Sequence, residues 1–192
     1  PAPRDRLPLI DLALPALRNL DPEGRERFMR RVDGLIDEDG RVDLFEYALR
    51  RVLRNALEEG AGRSPLRKRQ PIQKAVPALN VMFSVLARLG GGGPEDVQHA
   101  FGKARDYMLG YTGGKNLELL PPDQCGLAAM DRACDELSEI SPGFQQRALL
   151  AGLSAISADD RIDAPELEAF RAFAAAMRIP VPAYLGFGDL GE

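Results

Sequence analysis

The chain has 192 residues, 45% of them hydrophobic and 28% charged, with a formal charge of −4. That length suits one domain or two small ones, and that composition suits an ordinary globular protein rather than a disordered one. So small a charge implies no polyanionic partner, and the lack of Trp argues against a base-stacking surface, so no nucleic-acid partner is expected.

Pro1 to Arg6 reads as a linker, and the start Pro-Ala-Pro-Arg suggests a piece cut from a longer protein. No apolar run approaches the roughly 20 residues of a membrane span, and no signal peptide is legible. Leu7 to Leu20 is dense in leucine and predicts a short buried helix, kinked where Pro15 removes a hydrogen bond. Asp21-Pro22-Glu23 is a helix start: an N-cap, a proline at the first helical position and an acid in the first turn. Phe28, Val32, Leu35 and Ile36 then predict its core face.

An acidic turn, Asp37-Glu38-Asp39-Gly40, leads to Asp43, which opens a helix running to about Glu59. Glu46 completes a capping box with Asp43, and Val42 with Tyr47 predicts a hydrophobic staple. Gly60 to Gln70 is expected to be loop, with Arg63, Arg67, Lys68 and Arg69 clustered on it. A solvated loop is the plain reading of that cluster, and a contact for anionic lipid or an acidic partner the sharper one. Pro71 opens a further helix to Leu89, although Pro77 moves its true start later. Gly90 to Gly93 lack the spacing of a phosphate loop and predict a flexible connection to a helix from Pro94 to about Leu109.

His99, the only histidine, lies on that helix without neighbouring metal ligands and reads as a surface residue. Gly113-Gly114 marks a loop. Pro121-Pro122-Asp123 predicts a helix to about Ser138 carrying both cysteines, Cys125 and Cys134, on opposite sides. That placement argues against a disulfide or a shared metal, and two reduced thiols suit a cytoplasmic protein. Ser141-Pro142 starts a helix through Phe144, Ala148, Leu149, Leu153 and Ile156. Asp163 and Glu166 form a second capping box before Leu167, Phe170, Phe173 and Met177, with Pro180 and Pro182 ending the helix and 183–192 left as a tail. Nothing reads as a strand. The expected fold is all-α: one compact bundle of about eight helices spanning 7–182.

The acidic turn occurs twice. With Gly40 set over Asp160, Ile36 matches Ile156, Asp39 matches Asp159, Asp43 matches Asp163 and Glu46 matches Glu166. This predicts an internal duplication of a helix–turn–helix unit, about 21–59 and 141–178. Read as calcium loops, both copies lack the first-position carboxylate, since Leu35 and Ala155 stand there. The same residues are explained without a metal as helix caps, each worth about 1 kcal/mol, and this is the preferred reading. A third reading brings the turns together, so that Asp39, Glu46, Asp159 and Glu166 form a weak candidate cation site, with calcium as its ion.

These paired acidic turns, each after an apolar helix and before a helix opened by glutamate, resemble the TerB-like (tellurite-resistance) helical domain, also found in DjlA-type co-chaperones. Ala155 to Glu166 with Phe170-Arg171-Ala172-Phe173-Ala174 is especially similar. A match over nearly the whole chain is to the C-terminal region of long HtpX-like zinc metallopeptidases. It is carried by Leu7 to Arg18, Asp43-Leu44-Phe45-Glu46-Tyr47 and Ile179-Pro180-Val181-Pro182. The resemblance implies a non-catalytic accessory or regulatory domain on the cytoplasmic side of a membrane-anchored parent. Its partners would be the parent's peptidase domain and other proteins, and zinc would belong to that peptidase domain. The family's H-E-x-x-H has no counterpart here, because His99 is followed by Ala100, Phe101 and Gly102, so no catalytic residue carries over. Asp160 stands where TerB-like turns prefer glycine. The alternative function is a cation-binding stress-response domain using the paired acidic turns.

Overall fold

A computed structural model describes residues 3–36, 44–61, 71–112, 116–158 and 162–179. Among them are eight α-helices and no strand: α1 (Pro3–Arg18), α2 (Pro22–Ile36), α3 (Leu44–Gly60), α4 (Val76–Leu86), α5 (Pro94–Met108), α6 (Leu127–Ser138), α7 (Pro142–Ile156) and α8 (Ala164–Ala176). The all-α expectation therefore holds. The chain divides into two units, one of 1–67 with 163–176, the other of 68–162 with 177–192. The boundary at 162/163 assigns α7 and α8, the two helices of the second expected repeat, to different units.

In the first unit, α1 begins at Pro3, inside the stretch expected to be linker. Proline is well placed at a helix start, where its missing N–H has no intrahelical partner. The helix runs through Pro15 and stops within a turn, at Arg18. The expectation of a buried helix is corrected: Leu12 is 78% exposed and Leu9 51%, while Ile10 and Leu14 face inward. Leucine density in the sequence carried no information on which face would be covered.

The start of α2 is as expected, with the Gly24 N–H donating to Asp21 Oδ1 at 2.7 Å. Leu35, expected on its core face, is instead 71% exposed. An ion pair of 2.5 Å from Arg50 Nε to Asp33 Oδ1 ties α2 to α3. The core seam joins α3 and α8. Ala48 and Val52 meet Ala172 and Ala176, with Ile10, Leu14 and Phe45 packed at its edge. Alanines at this seam let two helices approach closely. Asn55, buried in α3, closes it by donating Nδ2–H to the Ala176 carbonyl at 2.8 Å, satisfying an orphan acceptor at the end of α8.

Arg25 performs the same service twice at the other ends. Its Nη2 donates to the carbonyls of Arg18 (3.2 Å) and Gly60 (2.9 Å), the last residues of α1 and α3. A guanidinium at two helix C-termini also opposes their partial negative charge.

The second unit is built around α4, whose sequence carries no charged residue. A helix apolar on most sides belongs in a core, and α5, α6 and α7 all pack against it. Leu79, Met82, Phe83 and Leu86 are fully buried. As Pro77 implied, the helix proper starts late, after a 3-10 turn at Ile72–Lys74. The four-glycine connection leads into α5, with Gly91 and Gly92 in the left-handed region at φ of 73° and 86°, which favours glycine. Asp96 Oδ2 accepts the Gly93 N–H at 2.7 Å and caps α5.

A second correction concerns the cysteines. Cys125 is not on a helix with Cys134: a 3-10 turn at Pro122–Gln124 precedes it, and α6 begins only at Leu127. The tandem prolines that resembled a helix opening make that turn instead. Cys134 is buried on α6, and Cys125 and Cys134 form no disulfide. Gln145, in the first turn of α7, donates Nε2–H to the Leu137 carbonyl at 2.8 Å and so closes the end of α6.

Candidate functional site

The acidic turns were the sequence's candidate, and the capping box that follows the second lies among the described residues. The Asp163 N–H donates to Glu166 Oε2 at 2.9 Å, and the Glu166 N–H donates to Asp163 Oδ1 at 2.7 Å. This is the expected reciprocal capping box, and it satisfies two backbone donors at the start of α8. It also engages one Glu166 oxygen in a structural bond. Glu46 lies in the first turn of α3, half-buried. The structure thus assigns Glu46 and Glu166 to the openings of two helices that pack against each other.

Asp39, Gly40, Val42, Asp43, Asp159 and Asp160 lie outside the described residues, so the first capping box and the staple lie there too. The basic cluster Arg63 to Arg69, the Gly113-Gly114 turn and the tail 183–192 also lie outside them. Among the described residues, no three His, Cys, Asp or Glu side chains converge in a metal-binding group. His99 is exposed on α5, as expected. No described helix is long and apolar enough to cross a membrane.

Sequence reasoning missed a polar ladder on α4. Asn80 and Ser84 at successive turns of the helix, and Arg88 just past its end, hold the backbone of the segment that follows α5. Asn80 Oδ1 accepts the Glu118 N–H at 3.1 Å, and Ser84 Oγ accepts the Leu120 N–H at 2.9 Å. Arg88 donates to the carbonyls of Leu120 (2.5 Å) and Ser84 (2.6 Å). The spacing of four was visible in the sequence, but each of the three bonds a backbone group more than thirty residues away: the N–H groups of Glu118 and Leu120 and the carbonyl of Leu120.

Cys125 sits at the end of that segment, half-buried. Burial pushes its thiol above the ordinary value of 9.0, against the pull of the adjacent Arg88 guanidinium and a bond from Ser84. A thiol kept protonated is a weak nucleophile.

The exposed apolar side chains form another kind of feature. Leu9 and Leu12 lie on the outer side of α1, whose inner side packs on α3 and α8. On the second unit, Tyr107, Leu109 and Tyr111 are exposed around the end of α5. Arg147 stacks 4.3 Å from the Tyr111 ring centre and donates to its hydroxyl at 2.5 Å. No protein-family description, curated protein or solved structure matches the chain.

Proposed function

We propose that the chain is a non-catalytic accessory domain that works through contact with other proteins. On the resemblance drawn from the sequence, it is a TerB-like regulatory region of a membrane-anchored, HtpX-like zinc peptidase. One observation carries the contact reading: between Leu9 and Leu14, α1 carries apolar side chains on two sides. Its inner side serves the core with Ile10 and Leu14, while Leu9 and Leu12 present large apolar surface to solvent. Scattered exposed leucines are ordinary, but two spaced three apart on one helix form a helical stripe, the pattern by which a helix engages a partner groove.

The test is the double substitution Leu9→Glu with Leu12→Glu in the intact parent. Both side chains are exposed, so the melting temperature should stay within the small range of surface changes. Proteolysis by the parent, or capture of its peptidase domain, should change. Unaltered proteolysis and unaltered capture by a folded variant would count against the reading.

A further inference from the structure

The second unit carries a half-open cavity of about 380 Å³ that none of the sequence motifs accounts for. It lies where the end of α4, the start of α5 and the end of α7 converge. The floor is apolar: Ala87, Ala100, Ala155 and Ile156 are all buried. Much of the lining is glycine and alanine: Gly90, Gly91, Gly92 and Ala158 besides the alanines of the floor. Gly91 and Gly92 form one wall in a backbone conformation that disfavours side chains, and a Cβ on Gly91 would meet nothing within 4 Å. The size falls within the range of small-molecule sites. The larger hollow of about 840 Å³ nearby is walled by α5 alone and is open surface.

Among the described residues that line this cavity, the one acidic side chain is Asp96 and none is Lys or Arg. Asp96 lines it, and its Oδ2 accepts the Gly93 N–H as the cap of α5. The last residues of α7 line it as well, and a helix C-terminus carries partial negative charge. No basic residue lies in the last turn of α7 to offset that charge. Arg88, just beyond α4, directs its guanidinium to the carbonyls of Ser84 and Leu120. The positive end of α5 is already met by Glu95 and Asp96 in its own first turn. His99 stands at the rim, one turn from Asp96, and adds a polar ring there.

We propose that this cavity binds an organic cation: a protonated amine joined to a compact apolar body, the body on the alanine floor and the ammonium beside Asp96. The proposal is independent of the accessory-domain reading, since it concerns a different unit and requires no parent.

The probe is phenethylammonium, compared with uncharged 2-phenylethanol and anionic phenylacetate, each titrated into the folded chain and followed by amide chemical shifts. The amine is expected to move the signals of Gly91, Ala100 and Ile156. Asp96→Asn keeps an acceptor for the Gly93 N–H, and should weaken amine binding about tenfold, the worth of one partly exposed charge contact. Ala155→Leu should fill the space and abolish binding. Binding of the amine no tighter than that of the alcohol, or unaffected by Asp96→Asn, would reduce the site to an uncharged crevice and overturn the proposal. Absence of shifts at these residues with all three probes would overturn it as well. Failure here leaves the Leu9/Leu12 test untouched, so the two readings stand or fall separately.

Discussion

Gly60 at the end of α3 lies directly against the backbone of Arg18 at the end of α1. A Cβ placed on Gly60 would come within 2.7 Å of the Arg18 Cα and closer still to its carbonyl oxygen. These are backbone atoms, so a rotamer change cannot relieve the clash. Gly60→Ala should therefore destabilise the first unit by about 1–3 kcal/mol, the usual cost of overpacking. Gly34→Ala is the control. Its Cβ would meet nothing within 4 Å, it lies inside α2, and the change should stabilise by about 0.5–1 kcal/mol. Urea unfolding of the two variants should thus move the midpoint in opposite directions.

The Asp163–Glu166 box separates capping from cation binding. Asp163→Ala removes the acceptor of the Glu166 N–H and should cost about 1 kcal/mol with or without calcium. Glu166→Gln keeps an acceptor for the Asp163 N–H and should cost less. If the acidic turns instead bind calcium, wild type should gain melting temperature at millimolar calcium and Glu166→Gln should lose that gain. Calorimetric titration of both proteins decides between the two roles.

Asn55 is buried and donates to a carbonyl that no helix bond can reach. Asn55→Leu leaves the Ala176 oxygen buried without that donor, an expected loss of about 1–3 kcal/mol. Hydrogen exchange should show the loss as faster opening of the end of α8.

Cys125 gives a pH prediction. Its thiol is raised in the folded state, above the ordinary 9.0. The folded protein therefore binds this proton more tightly than the unfolded chain does. The associated stability is fully present below the unfolded thiol value and declines as pH rises through the folded value. Cys125→Ser should flatten this decline in alkaline denaturation curves. At pH 8, iodoacetamide should modify Cys125 more slowly than a free peptide thiol. Cys134, fully buried, should react only on unfolding.

What could be read from the sequence was what depends on near neighbours. Asp21 before Pro22 and Asp163 before Glu166 cap helices through atoms three residues away, so their chemistry is complete in a short window. The apolar stripes of α4 and α7 were legible for the same reason, because periodicity is local. Arg25, Asn55, Arg88 and Gln145 were not legible in their roles. Each ends on a backbone carbonyl set by the fold, and carbonyls are the same in every residue. Leu12 and Leu35 were misread because an apolar residue states a preference for burial but not which neighbour will supply it. The cavity between α4, α5 and α7 left no mark except small residues, which the sequence also uses for close packing.

The first unit is interrupted in sequence: α1 to α3 are made early, whereas α8, whose Ala172 and Ala176 complete their seam, follows the whole of residues 68–162. During synthesis, Val52 must wait for 120 further residues (172 − 52) to be made before Ala172 covers it. Over that interval a nascent chain offers a bare alanine–valine groove shaped for a helix. Chains halted before residue 163 should be held by chaperones or cleared by proteases more readily than the intact protein, even though three of the four helices of the unit are present.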